Sequence, residues 1–144
     1  IRARIRCLEF RRVLFRSQEK YKRLEETLED AETLACDDAD VILVSYGISS
    51  RIALSAVDAA RAEGRPVGLV RPRTLYPFPR RILSELARRR PCTFVSVEMS
   101  NGQMADDIRL AIACSRPVEL VSRLGGNLST LEQVMDKIRS VAPR

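Results

Sequence analysis

The sequence predicts an α/β protein, a three-layer α/β/α sandwich around a mostly parallel sheet. Two observations carry this. Four short apolar runs, "VILVSY" (41–46), "PVGLVR" (66–71), "CTFVSVEM" (92–99) and "PVELVS" (117–122), are separated by stretches with helical spacing. Runs of this length and continuity suit strands covered on both faces, and strand–helix alternation implies right-handed crossovers. At 144 residues the chain suits one core.

The elements follow in order. Residues 1–17 hold six arginines against Glu9, interleaved with large apolar groups and lacking a cap or turn signal. They are expected to be foreign to the fold, a non-native or disordered basic segment. "QEKYKRLEETLEDAETLA" (18–35) places Tyr21, Leu24, Leu28 and Ala31 on one narrow stripe, which predicts a connecting helix over 18–38. The folded domain is expected over 39–144. Val41–Tyr46 is its first strand, Gly47 the tight turn, and Ser49 or Ser50 the cap of a helix facing inward with Ile52, Ala56, Val57 and Ala60. Gly64 ends that helix. After "RPRTLYPFP" a helix spans about Arg80 to Arg89. Another begins near Gly102 and buries Met104, Ile108, Ala111 and Ile112. Ser129-Thr-Leu-Glu132 reads as a capping box for a last helix with Leu131, Val134, Met135 and Ile138 inside.

Composition excludes several functions. There is no histidine, so imidazole bases, Ser-His or Cys-His nucleophiles and the commonest zinc ligand are absent. Cys7, Cys36, Cys92 and Cys114 show no C-x-x-C pairing and are expected to be free thiols. The net charge of +6 is localised: residues 1–17 carry +5, and the other 127 residues hold 19 basic and 18 acidic groups. No nucleic-acid surface is expected. The apolar runs fall far short of the roughly 20 residues of a bilayer crossing, so no membrane is expected and the location is read as cytoplasmic.

In such sheets, ligands meet the loops at the carboxyl ends of the strands. Four segments belong there, and they supply the candidate interface or substrate-access residues: Tyr46 and Gly47; Arg71, Tyr76 and Phe78; Glu98, Asn101 and Gln103; Arg123, Gly125 and Gly126. "YGISS" lacks the repeated glycines and the lysine of phosphate loops and reads as an ordinary turn. "LYPFP" is expected to bury its aromatics against a neighbouring domain. Glu98, next to a helix start, reads as a structural or interface acceptor. The aspartates near 37–40 and 106–107 lack a calcium-loop pattern. No catalytic, cofactor-binding or metal-ligating residue is assigned.

The blocks "QEKYKRLEE", "ADVILVSYGISSRIALSAVDAARAEGRPVGLVRPRTLYPFP", "VSVEMSNGQMADDIRLAI" and "PVELVSRLGG" together resemble the α subunit of 2-oxoacid:ferredoxin oxidoreductases, nearest to the 3-methyl-2-oxobutanoate (2-oxoisovalerate) type. The resemblance implies a transketolase C-terminal-like domain from the carboxyl end of that subunit. It also implies a role in an assembly that oxidatively decarboxylates a 2-oxoacid to acyl-CoA and reduces ferredoxin. Thiamine diphosphate, magnesium and iron–sulfur clusters would then belong to the complete complex and none to this chain alone, with a β subunit, ferredoxin and CoA as partners. Glu98, Asn101 and Gln103 would serve docking or substrate and CoA access. Arg73 and Tyr76 depart from the family, where an aliphatic residue and a tryptophan are more usual, and residues 1–17 do not resemble it. Two other readings stand beside this one: a stand-alone interaction or regulatory module, and the equivalent domain of another thiamine enzyme.

Overall fold

The computed structural model describes the backbone of residues 2–141 and the side chains from residue 13 to 141, Glu26 excepted. A long helix α1 (Arg2–Thr27) leads into β1 (Ala31–Leu34), β2 (Val41–Val44), α2 (Ser49–Ala62), β3 (Val67–Pro72), α3 (Arg80–Arg89), β4 (Thr93–Glu98), α4 (Gln103–Ala111), β5 (Val118–Ser122) and α5 (Leu131–Val141). The sheet order is β1-β3-β2-β4-β5. β3, β2, β4 and β5 are parallel, and β1 lies antiparallel on the outer edge of β3.

The strands β2, β3 and β4 divide their side chains between two cores. Val41, Leu43, Val67, Leu69, Val95 and Val97 pack with α2 and α5, through Ala53, Val57, Val134 and Ile138. Ile42, Val44, Val70 and Phe94 pack with α3 and α4, through Leu83, Met104 and Ile108. All four residues of β2 are at most 1% exposed, as the unbroken apolar run requires of a central strand.

The start of the chain differs from expectation. One helix runs through residue 17 and ends at Thr27 instead of continuing to residue 38. Leu28 is exposed and Ala31 belongs to β1, so the apolar stripe is not one helical face. The sheet therefore begins before the expected boundary at 39. What overrides the helical pattern is tertiary: "AETL" satisfies the free edge of β3 and is latched by exposed ion pairs, Arg71–Glu32 at 3.2 Å and Arg73–Asp30 at 3.6 Å. Arg61 of α2 secures the following turn. Its guanidinium donates to the carbonyls of Ala35 and Val67 and pairs with Asp38 at 2.6 Å.

The later elements match their sequence reading with small shifts. Gly64, at φ +78°, closes α2 with its N–H on the Arg61 carbonyl, as a glycine after a helix does. Leu131, expected inside, is exposed, and Ala111 is only partly buried. The capping box is real but displaced by one residue: Thr130 Oγ1 accepts the Gln133 N–H, and Gln133 Oε1 accepts the Thr130 N–H. Ser49 and Ser50 do not cap α2, since Ser50 Oγ donates to the Gly47 carbonyl instead.

Gly68 lies under the turn after β1. A Cβ there would sit 2.8 Å from the Ala35 carbonyl oxygen and 2.9 Å from Cys36 Sγ, against backbone that is already latched. Cys36, Cys92 and Cys114 are free, the first two buried and the third exposed, while the Cys7 side chain lies outside the described residues. Burial pushes the Cys36 thiol up to about 11 and also raises Cys92.

Two outcomes follow. Gly68→Ala is expected to destabilise the protein by about 1–3 kcal/mol through overpacking, read from the midpoint of urea unfolding; an unchanged midpoint would refute the close approach. At pH 8 a thiol reagent should modify Cys114 while Cys36 and Cys92 react only in urea, as located by peptide mass mapping. Because the folded pKa of Cys36 is raised, the stability contributed by its neutral thiol is complete below pH 9 and is lost as the pH climbs toward 11.

Candidate functional site at the carboxyl ends of β2 and β4

The connection from β2 through α2 to β3 covers one face of the sheet, and that from β3 through α3 to β4 crosses to the other. The strand order thus reverses between β2 and β4, and a crevice opens at their carboxyl ends. Ser45 stitches its floor: its N–H donates to the Val70 carbonyl at 3.1 Å and its buried hydroxyl to the Val97 carbonyl at 2.8 Å. Above lies a cavity of about 130 Å³ lined by Tyr46, Gly47, Ile48, Ser49, Glu98 and Met99. Larger clefts exist, one of about 260 Å³ beside Cys36 and Arg89 and one of about 390 Å³ beside Cys92. The 390 Å³ cleft adjoins Thr93, at the amino end of β4, and the 260 Å³ cleft lies along β1 and α3, so neither opens at the carboxyl ends of β2 and β4.

Glu98 is the organising residue. It is 3% exposed, and its carboxylate accepts Ser100 Oγ at 2.6 Å, the Met104 N–H at 2.9 Å and the Ala105 N–H at 3.4 Å. The residue before α4 is Gly102, at φ +88°, which has no side chain to cap the helix. Glu98 supplies the missing acceptor from the preceding strand end, where the helix dipole also favours a negative charge. With both oxygens engaged, this carboxylate acts as an anchor of the 99–102 loop, in line with its sequence reading. Asn101 and Gln103 flank the buried Gly102, and both are exposed.

The other expected site residues do not converge here. Arg71 is paired with Glu32 at the β1 edge. Tyr76 is exposed and meets Tyr21 of α1 edge-on, ring centroids 6.0 Å apart. Partial desolvation, and then the Glu25 carboxylate, raise its phenol pKa. Phe78 is a correction: it is 8% exposed and belongs to the core with residues of α3 and α4, so this ring is buried within the chain's own core. Tyr76 and Phe78 border a separate cleft of about 240 Å³ with Glu25, Glu29, Arg80 and Asp107. Arg123, Gly125 and Gly126 lie in the exposed β5–α5 loop, with both glycines at positive φ and Arg123 donating to the Leu128 carbonyl at 3.4 Å. Ser45, Ile48, Ser49 and Met99 lie within the segments 45–50 and 98–103 that sequence reasoning puts at the carboxyl ends of the strands, but it did not single them out as site residues. A polar residue closing the apolar run 41–44 was the available signal for Ser45.

Among the described residues no three His, Cys, Asp or Glu side chains are grouped to hold a metal ion. No helix among them is long and apolar enough to cross a membrane.

Residues 39–134 match the family described as pyruvate:ferredoxin oxidoreductase core domain II. A curated relative is the ketoisovalerate oxidoreductase subunit VorB of Methanothermobacter thermautotrophicus, 57% identical over 128 residues, which are 89% of this chain and 36% of that protein. The chain spans about a third of the length of the curated relatives it matches. Among solved structures, a 2-oxoglutarate:ferredoxin oxidoreductase from Magnetococcus marinus, with 2-oxoglutarate, coenzyme A and succinyl-CoA bound, superposes at a TM-score of 0.64 with 18% identity over 83% of this chain and 21% of that one. A split-gene transketolase, an inactive beta4 tetramer, gives 0.62 with 20% identity over 78% and 42%. At these identities the two structures share the fold.

Removing the Glu98 anchor is expected to loosen the crevice from one side. Glu98→Ala should cost about 1–3 kcal/mol and raise amide exchange over residues 100–106, with Glu98→Gln milder because its amide oxygen still accepts. Unchanged exchange in Glu98→Ala would show that α4 is capped by other means.

Proposed function

The chain belongs to the pyruvate:ferredoxin oxidoreductase core domain II family, and on that premise we propose that it is the carboxyl-terminal, transketolase-like domain of the α subunit of a 2-oxoacid:ferredoxin oxidoreductase of the ketoisovalerate type. The observation that carries this reading is the 57% identity over 128 residues to a ketoisovalerate oxidoreductase subunit. The complete enzyme, a cytoplasmic complex with a β subunit, converts a 2-oxoacid and CoA to acyl-CoA and carbon dioxide and passes electrons to ferredoxin.

Within it this domain gives position and shape. Thiamine diphosphate, magnesium and iron–sulfur clusters supply the chemistry of the assembly, and the described buried cysteines and carboxylates of this chain do not fit a cluster or a hard cation. Cys36 and Cys92 are buried with raised thiol pKa values, the opposite of a thiolate ready to bind iron. Carboxylates do not gather with other donors for a hard cation. What the chain offers is a rigid sheet whose carboxyl edge presents Tyr46, Ile48, Leu75 and Tyr76 with large exposed apolar surfaces. Such a rim suits burial against neighbouring domains, and Tyr46, Arg123, Asn101 and Gln103 then shape access to the substrate.

Reconstitution tests the reading. The chain, mixed with the remainder of the subunit and the β subunit, should restore 2-oxoacid-dependent reduction of a viologen dye in the presence of thiamine diphosphate and CoA, with a branched 2-oxoacid preferred. A well-folded chain that neither associates nor restores turnover would overturn it in favour of an independent interaction module.

A further inference from the structure

The two edges of the sheet are finished differently. At β5 the Val118 carbonyl is taken by the Arg109 guanidinium at 3.0 Å, and Glu119 is paired with Lys137 of α5. β1 has no such cover: it ends the strand order beyond β3, and its Glu32, Thr33 and Leu34 are exposed. The antiparallel register fixes which of its backbone groups are used. The Asp30 carbonyl accepts the Arg73 N–H at 3.0 Å, so residues 30, 32 and 34 turn their N–H and C=O groups toward β3. Alternation turns those of Ala31 and Thr33 outward, where no acceptor or donor among the described residues meets them.

Beside that edge lies the cleft of about 260 Å³ between β1 and α3, lined on the strand side by Ala31, Thr33 and Ala35 and on the helix side by Ile82 and Leu86. A strand added at the ordinary spacing of about 4.8 Å would exchange hydrogen bonds with Ala31 and Thr33 and turn every second side chain toward α3. The unpaired edge groups therefore fit extended backbone, and a cleft of this size, shared by the side chains of the added strand, suits small ones.

The chain carries such a segment itself. β1 is extended, and toward α3 it presents Ala31 and Thr33, both small. Set antiparallel across a two-fold axis at Glu32, two copies match Ala31 of each with Thr33 of the other, so that the outward N–H and C=O groups satisfy one another. The residues that meet at the axis are the two Glu32, whose side chains lie on the face away from α3. Each Glu32 carboxylate is already 3.2 Å from Arg71 and 4.0 Å from Arg73, so the two acids meet among four guanidinium groups and their repulsion is offset. We propose that the protein forms a symmetric dimer through β1, in which the two sheets join into one and each β1 closes the cleft beside the α3 of the other copy. This pairing does not rest on the oxidoreductase reading.

Sedimentation velocity of the full 144-residue chain over a concentration series tests it. A monomer–dimer equilibrium with a dissociation constant of about 10–100 µM is expected, in keeping with a small interface. Thr33→Pro removes an outward N–H and none that β3 uses, so it should leave the thermal midpoint nearly unchanged while weakening dimerisation about tenfold or more. Glu32→Lys, at an exposed position, sets two ammonium groups among the four arginines and should weaken it by about as much. Should Thr33→Pro unfold the chain, Glu32→Lys decides alone. A chain that remains monomeric across the series, or a dimer that the folded variants leave intact, would overturn the pairing.

Discussion

Everything in this fold follows from burying β2 on both faces. Each of Ile42, Leu43 and Val44 removes a whole aliphatic side chain from water, a gain of about 1.5–3 kcal/mol apiece, and neither face can be left open. The connections must therefore deliver helices to opposite sides: α2 with α5 on one, α3 with α4 on the other. Once that is required, the strand that follows α3 has to pair with the far edge of β2. The crevice between β2 and β4 is the geometric residue of that reversal.

Carboxylates borrowed from a distance then hold the crevice and its surroundings in place. α3 starts after Pro79 and α4 after Gly102, neither able to cap, and Glu29 and Glu98 reach in from other segments. Such long-range caps tie a loop to a helix as well as stabilising the helix. The loop 99–102 inherits the rigidity of β4, and the turn after α1 inherits that of α3.

The parts of the fold read correctly from sequence are those whose burial is written in the residues themselves. Four apolar runs of strand length, and helical stripes such as Ala56-Val57-Ala60 and Val134-Met135-Ile138, leave few alternatives. β1 was illegible because "AETL" carries no strand signature; only its pairing with β3 and its ion pairs make it one. Phe78 misled for a related reason, since a proline-rich composition signals a loop but does not say which way the ring turns. The capping box slipped by one residue because Ser129 and Thr130 offer the same chemistry in adjacent places, and register is a property of the helix end. The candidate site was half legible: loop positions at the carboxyl ends followed from topology, whereas the dispersal of Arg71, Tyr76 and Arg123 to separate surroundings depended on partners distant in sequence.

β1 also sets the order in which the molecule comes apart. Three of its four residues are exposed, and the ion pairs that latch it lie in solvent, where such pairs contribute little. Between its tied ends it is the most solvent-exposed strand of the sheet, so its opening is expected before that of β2, β3, β4 and β5. That partly opened form bares the hydrogen-bonding edge of β3, a row of free donors and acceptors on a flat apolar strand. The form expected first on mild stress is therefore near-native with one side open to pairing, the hazard that an uncovered sheet edge carries.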